Sequence, residues 1–203
     1  MVTLIIDYGM SNMGSIARAV KECGSKPLIS SNPKDLDIAD NIILPGVGSF
    51  PEGMKNLNKF GWTEPLKETI LKYKVPLLGI CLGMQLLARK GFEIEETEGL
   101  NLISGNVKMV EVDENTRIDD VGWNDILIKN QSLLLKNIKN GTDFYFVHSY
   151  HFIAECNENV IAEVNYGKNF TAIIARNNIF GTQFHPEKSG KDGVELLKKL
   201  LAI

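Results

Sequence analysis

Cys81 stands in Gly79-Ile80-Cys81-Leu82-Gly83, between the apolar Val75-Pro76-Leu77-Leu78 and the helix-like Met84-Gln85-Leu86-Leu87-Ala88. Gly-x-Cys-x-Gly at a strand-to-helix junction is the thiol form of the nucleophile elbow. The bend is tight, so residues without a β-carbon are needed on both sides of the cysteine. It lifts the sulfur to the end of a strand and the positive end of the next helix, where the thiolate is favoured. A cysteine nucleophile needs a base, and the base needs an orienting group. Of the three histidines, His148, His151 and His185, the last lies in Gln183-Phe184-His185-Pro186-Glu187 at the end of a β-like run. On an extended chain Glu187 faces the same side as His185. Its carboxylate there can accept the imidazole N–H, fix the tautomer and stabilise the imidazolium. The expected triad is Cys81, His185 and Glu187. Cys23 and Cys156 have neither an elbow nor a nearby base, and read as packing residues.

A third element is Leu44-Pro45-Gly46-Val47-Gly48-Ser49. A Gly-x-Gly turn after a buried strand can aim backbone N–H groups at developing negative charge, as an oxyanion hole requires. A phosphate loop is the competing idea, but a third glycine and a following Lys-Ser/Thr are missing.

These residues need an α/β frame to hold them. Residues 2–6, 27–29, 41–44 and 76–80 read as buried strands, and helical material fills 50–59 and 63–74. Ile16, Val20 and Cys23 share one helical face. The second half is strand-rich, with candidates at 107–112, 126–129, 144–150, 160–164, 172–175 and 180–184. A last helix over 194–201 turns Val194, Leu197 and Leu201 inward and Lys198 and Lys199 outward. The pattern predicts one α/β domain over residues 1–203 with a mixed, mostly parallel central sheet flanked by helices. Ligands of such sheets bind beyond the carboxyl ends of the strands, where the elbow should be.

The 203 residues carry a formal net charge of −3, with 44% hydrophobic and 23% charged residues. That balance gives no electrostatic reason to expect nucleic acid or an anionic membrane. The longest mostly apolar stretch, 75–88, is too short for a membrane span of about 20 residues. Residues 2–6 lack a basic leader before them and read as a first strand. Three widely spaced cysteines argue against a disulfide framework or a zinc site and suggest a reducing cytoplasm.

Taken together, these segments resemble the class I (triad-type) glutamine amidotransferases. Within that family they are similar to the glutaminase subunits of imidazole glycerol phosphate synthases. Asp7-Tyr8-Gly9-Met10-Ser11-Asn12 looks like the N-terminal signature, Pro45-Gly46-Val47-Gly48 the oxyanion strand, and Gly79 to Gln85 the nucleophile segment. Gly122-Trp123-Asn124, Tyr145-Phe146-Val147-His148-Ser149-Tyr150 and Gln183-Phe184-His185-Pro186-Glu187-Lys188-Ser189 follow in family order. The blocks span nearly the whole chain.

The resemblance implies hydrolysis of L-glutamine through a γ-glutamyl thioester on Cys81, with His185 as proton carrier and no metal or cofactor. It implies that the Val47 and Leu82 backbone N–H groups hold the oxyanion, after a peptide rotation that keeps the enzyme silent until its partner binds substrate. Gly48, Gln85, Glu93, His148, Ser149 and Tyr150 fall at glutamine-holding positions, with Glu93 opposite the α-ammonium. Asn12, Trp123 and Lys188 fall at the interface with a (β/α)8 barrel synthase subunit. The resulting heterodimer would pass ammonia to a phosphorylated ribulosyl aminoimidazole nucleotide in histidine biosynthesis.

The chain departs from the pattern at three places: Ser11, Gly91 and the segment Asp119-Asp120-Val121. The last keeps open a paralogous glutaminase supplying ammonia for amidination of a surface-glycan sugar. A γ-glutamyl hydrolase or cysteine peptidase and a non-catalytic docking subunit are further alternatives. The intact triad weighs against the docking role, and the lack of an insertion for a peptide groove weighs against the hydrolase.

Overall fold

The structure is a computed structural model. It describes residues 1–110, 120–165 and 167–203, and leaves aside the side chains of residues 120 and 121. The first half alternates strand and helix: β1 (Val2–Ile6), α1 (Met13–Glu22), β2 (Lys26–Ser30), β3 (Asn41–Leu44), α2 (Phe50–Lys59), α3 (Thr63–Leu71), β4 (Leu77–Ile80) and α4 (Leu82–Gln85). Short strands β5 (Lys90–Gly91) and β6 (Thr97–Glu98) follow, then β7 (Gly105–Met109), β8 (Asp120–Ile128), β9 (Asp143–His148) and β10 (Tyr150–Ala154). The chain continues through β11 (Val160–Asn165), β12 (Asn169–Arg176), β13 (Ile179–Thr182) and α5 (Gly190–Leu201).

Nine strands form one sheet in the order β2-β1-β3-β4-β13-β12-β11-β8-β9. Pairing is parallel from β2 to β13 and antiparallel from β13 to β9. The sheet is therefore mixed, and its parallel half carries the elbow. A second sheet, β10-β7-β5-β6, packs nearby. The central strands β3 and β4 are buried at every residue, as expected of parallel strands covered on both faces. Alternate residues feed two cores. Ile5, Ile43, Leu78 and Ile80 meet α1 and α5 through Ile16, Val20, Leu197 and Leu200. Leu4, Ile6, Ile42, Leu44 and Leu77 meet α2 and α3 through Leu57, Leu66 and Ile70.

Element boundaries moved where sequence periodicity is weakest. Helix α3 ends at Leu71, and Lys74 takes φ +59° just before β4. The expected strand over 144–150 breaks at Ser149 into β9 and β10, which belong to different sheets. Helix α5 begins at Gly190 and buries Leu196, Leu197, Leu200 and Leu201, while Val194 is half-buried. Cys23 caps α1, half-buried, with its thiol toward the Val194 carbonyl. The strand expected over 107–112 ends at Met109 in the structure, and residues 111 and 112 lie outside the described residues.

Candidate active site

Strand β4 ends at Ile80, and Cys81 turns the chain into α4 with φ +54° and ψ −112°. A non-glycine residue in that region is strained, and the surrounding packing holds it there. The flanking glycines are required by close approach. A β-carbon on Gly79 would lie 2.6 Å from the Gly83 carbonyl oxygen, and one on Gly83 would run into the Leu44 carbonyl. The helix after the elbow differs from expectation. α4 is a single turn followed by looser turns, because Leu87 and Ala88 bond to Met84 and Gln85. Its contribution at Cys81 is the local N–H groups of the first turn rather than an extended macrodipole.

His185 is buried, and its Nδ1 lies 2.9 Å from Glu187 Oε1. A tight turn aligns the pair, in place of the extended strand that the sequence suggested. Pro186 opens a 3₁₀ turn through Lys188. The Lys188 N–H and the Ser189 hydroxyl both donate to the His185 carbonyl, at 3.0 and 2.6 Å. Ser189 Oγ in turn accepts the Tyr145 N–H, and the His185 N–H donates to the Tyr145 carbonyl, which locks the turn to β9. The Glu187 side chain is 3% exposed. Burial alone would lower the imidazolium pKa, but hydrogen bonds to Cys81 and Glu187 and their negative charge outweigh it and raise His185 to about 9. A carboxylate-braced imidazole beside a thiol can hold a proton taken from sulfur and return it to a leaving group.

The sulfur and the ring open on a cavity of about 290 Å³. Lining it are Val47, Gly48, Leu82, Gln85, Glu93, His148, Ser149, Tyr150 and Lys188, together with Val147, which sequence reasoning passed over. Every residue expected to hold glutamine is thus at one cavity. Gln85 donates to the Tyr150 carbonyl at 2.8 Å. Glu93 accepts the Phe50 N–H at 2.8 Å on one oxygen, which orients its carboxylate. The departure at Gly91 has a packing reason, since the Phe50 ring fills the space of a β-carbon there. His148 is buried, and its Nδ1 lies 3.0 Å from the Tyr150 carbonyl, so that nitrogen carries the proton. Burial lowers its pKa to about 4, only partly offset by that carbonyl, so the ring is neutral at pH 7.

The two expected oxyanion donors differ. Leu82 opens α4, so its N–H has no acceptor within the helix. The Val47 N–H instead is already engaged, donating to the Met10 carbonyl at 2.7 Å. Gly48, at φ +113°, follows it. Beneath this loop lies the buried Tyr8, whose hydroxyl donates to the Pro45 carbonyl at 2.8 Å. Burial, and then negative charge at Cys81, push the phenol pKa upward.

Of the three expected interface residues, Lys188 lines the cavity itself. Asn12, Lys188 and Val47 line a small void of about 20 Å³ together with His185 and Glu187. Lys188 reaches over the Tyr145 ring, and Trp123, 55% exposed, meets the same ring edge-on. Of Asp119-Asp120-Val121, residue 119 and the side chains of 120 and 121 lie outside the described residues. Sequence reasoning missed roles for Tyr8, Met10, Val147 and Gln183. The first two stand beside the quoted Gly9, and Gln183 stands two residues before the base, the only local hint each carried. Among the described residues there is no cluster of three or more metal-ligating side chains. No described helix is long and apolar enough to cross a membrane.

Residues 4–202 match the glutamine amidotransferase class-I family, and the chain belongs to that family. It is 47% identical over 200 residues to the imidazole glycerol phosphate synthase subunit HisH 1 of Campylobacter jejuni strain RM1221, covering 98% of each chain. It is 46% identical over 194 residues to the imidazole glycerol phosphate synthase subunit HisH of Caldanaerobacter subterraneus subsp. tengcongensis, covering 96% of this chain and 94% of that one. Among solved structures, a chain of PurLQS from Thermotoga maritima superposes with a TM-score of 0.73 at 21% identity. That match covers 99% of this chain and 97% of the other, and it is a likeness of fold alone.

Proposed function

We propose that this chain, as one domain over residues 1–203, is the glutaminase subunit of an imidazole glycerol phosphate synthase in histidine biosynthesis. Near-full-length similarity to subunits of that name supports the pathway. The observation that carries the chemistry is the Glu187-braced His185 facing the Cys81 sulfur across one cavity.

His185 holds the Cys81 proton as the imidazolium of an ion pair, and the thiolate attacks the glutamine side-chain carbonyl carbon. The tetrahedral oxyanion forms beside the Leu82 N–H. Collapse breaks the C–N bond, and His185 returns the proton to the departing ammonia. Water, activated by His185, then cleaves the thioester to glutamate and regenerates the thiol. Gln85, Glu93, His148, Ser149 and Tyr150 surround the amino-acid end, with Glu93 opposite the α-ammonium. The Gly46–Val47 peptide must turn its N–H from Met10 toward the sulfur to complete the oxyanion hole, which keeps the resting glutaminase slow.

Free ammonia protonates in neutral water and loses nucleophilicity, so it must travel within protein. The partner is a (β/α)8 barrel synthase subunit docked over Asn12, Trp123 and Lys188. The heterodimer works in the cytoplasm.

The test is glutamate release by the complex with a histidine-pathway barrel and the ribulosyl aminoimidazole nucleotide, comparing native chain with Cys81→Ala. Turnover should appear with the nucleotide and vanish in Cys81→Ala. Equal rates in the two proteins would reduce the chain to a docking subunit. Failure to support glutamine-dependent cyclisation would remove the histidine assignment.

A further inference from the structure

Gln183 is fully buried directly after β13, and its carboxamide bridges Cys81 and Gln85, two residues of the cavity wall. Its Nε2 stands 3.8 Å from Cys81 Sγ, a long hydrogen bond to sulfur. Its Oε1 accepts from Gln85 Nε2 at 3.1 Å. A backbone carbonyl fixes which way these amides face. The Tyr150 carbonyl can only accept, so the Gln85 atom 2.8 Å from it is the amino nitrogen. The second hydrogen of that nitrogen goes to Gln183 Oε1. Gln183 therefore presents N–H to the sulfur, because the reversed amide would set two donors against each other at Gln85. The thiol itself points toward the Val147 carbonyl at 3.6 Å.

We propose that Gln183 stabilises and aims the Cys81 thiolate, the amide N–H staying on sulfur after the proton has left for His185. The inference rests on the reading of Cys81 as nucleophile. A buried amide is costly unless its groups are matched. Here both ends are matched, one by the glutamine pocket and one by the reacting atom. A hydrogen bond to an ionised acceptor is also stronger than one to a neutral acceptor. Gln183 thus favours the thiolate over the thiol and ties the sulfur's direction to Gln85 at the cavity wall. The titratable groups around the sulfur are Tyr8 beneath the loop, Glu93, His148, Tyr150 and Lys188 on the cavity wall, and His185 with Glu187.

Gln183→Met keeps the length and removes the amide. Gln183→Glu keeps an acceptor for Gln85 and removes the amide N–H. The rate of iodoacetamide alkylation at Cys81 is read peptide by peptide against pH in the full chain, with Cys156 as internal reference. Its half-point should rise by about one pH unit in the Met variant, a tenfold loss of thiolate stability, and by at least as much in the Glu variant. In the partner complex, kcat should fall roughly tenfold in step, with KM for glutamine nearly unchanged.

An unchanged half-point in Gln183→Met overturns the proposal. So does a raised KM with an unchanged profile, which marks a bracing role on Gln85 alone. If the Met variant does not fold, the Glu variant decides by the same criterion. Full turnover in Cys81→Ala would sink the nucleophile reading itself, whereas an inactive Cys81→Ala with unmoved Gln183 profiles sinks only the role of Gln183.

Discussion

The imidazole of His185 and the carboxylate of Glu187 work as one unit. One carboxylate oxygen sits 2.9 Å from Nδ1, and the other is buried with no partner among the described residues. Replacing Glu187 by Gln keeps an acceptor beside Nδ1 and removes the charge. The His185 pKa should then fall from about 9, because one of the terms that raise it is gone. Glutamine turnover in the complex should fall on the order of tenfold to a hundredfold, as for loss of assistance to a general base. Imidazole resonances followed by NMR against pH, together with kcat, check this. An unshifted His185 titration contradicts it. The residue types and their order were legible in the sequence. The 3₁₀ turn that aligns the pair was not, because it depends on Ser189 bridging to Tyr145 on a distant strand.

The elbow shows how an element constrains its sequence. Gly83 packs its α-carbon against the Leu44 carbonyl, backbone on backbone, so neither side can give way. Gly83→Ala should cost about 3 kcal/mol or prevent folding, the upper range for overpacking. Gly14 is the counter-example. It is exposed in the first turn of α1, and a β-carbon there meets only Asn12 Oδ1 at 3.7 Å. Gly14→Ala should stabilise the protein by about 0.5–1 kcal/mol. Urea denaturation of the two variants measures both signs, and a tolerated Gly83→Ala would contradict the close-approach account. Helix and strand positions in the parallel half were readable because buried strands are continuous apolar runs. The break at Ser149 was hidden, since β9 and β10 look like one β-rich run until they join different sheets.

Across the whole molecule, two buried histidines set opposite pH limbs. Folded His185 keeps its proton to about pH 9, whereas the unfolded ring loses it near about 6.5. The share of that shift supplied by the Glu187 carboxylate is net proton uptake by the folded state, full below about 6.5 and lost as pH rises through 9, whereas a proton taken over from Cys81 adds nothing because the unfolded thiol holds it. Folded His148 stays neutral down to about 4. Its contribution is full above about 6.5 and is lost as pH falls toward 4. Stability should therefore peak near about pH 6.5. Urea midpoints from acid to alkaline pH check this. His185→Asn should flatten the alkaline limb and His148→Asn the acid limb. An alkaline slope that survives in His185→Asn contradicts the assignment.

The sequence by itself pointed to Cys81, His185 and Glu187 as a triad, to the residues that line the cavity, and to the family. Those signals are local: a glycine-flanked cysteine, a His-Pro-Glu turn and apolar runs of strand length. Only the tertiary structure decided that the Val47 N–H rests on Met10, that Tyr8 holds the Pro45 carbonyl, and that the Gln183 amide faces sulfur. Each of these joins residues about forty to a hundred positions apart, or turns on the direction of a single peptide. Spacing along a chain carries no record of either, because both are fixed by the packing of strands that meet only when the sheet closes.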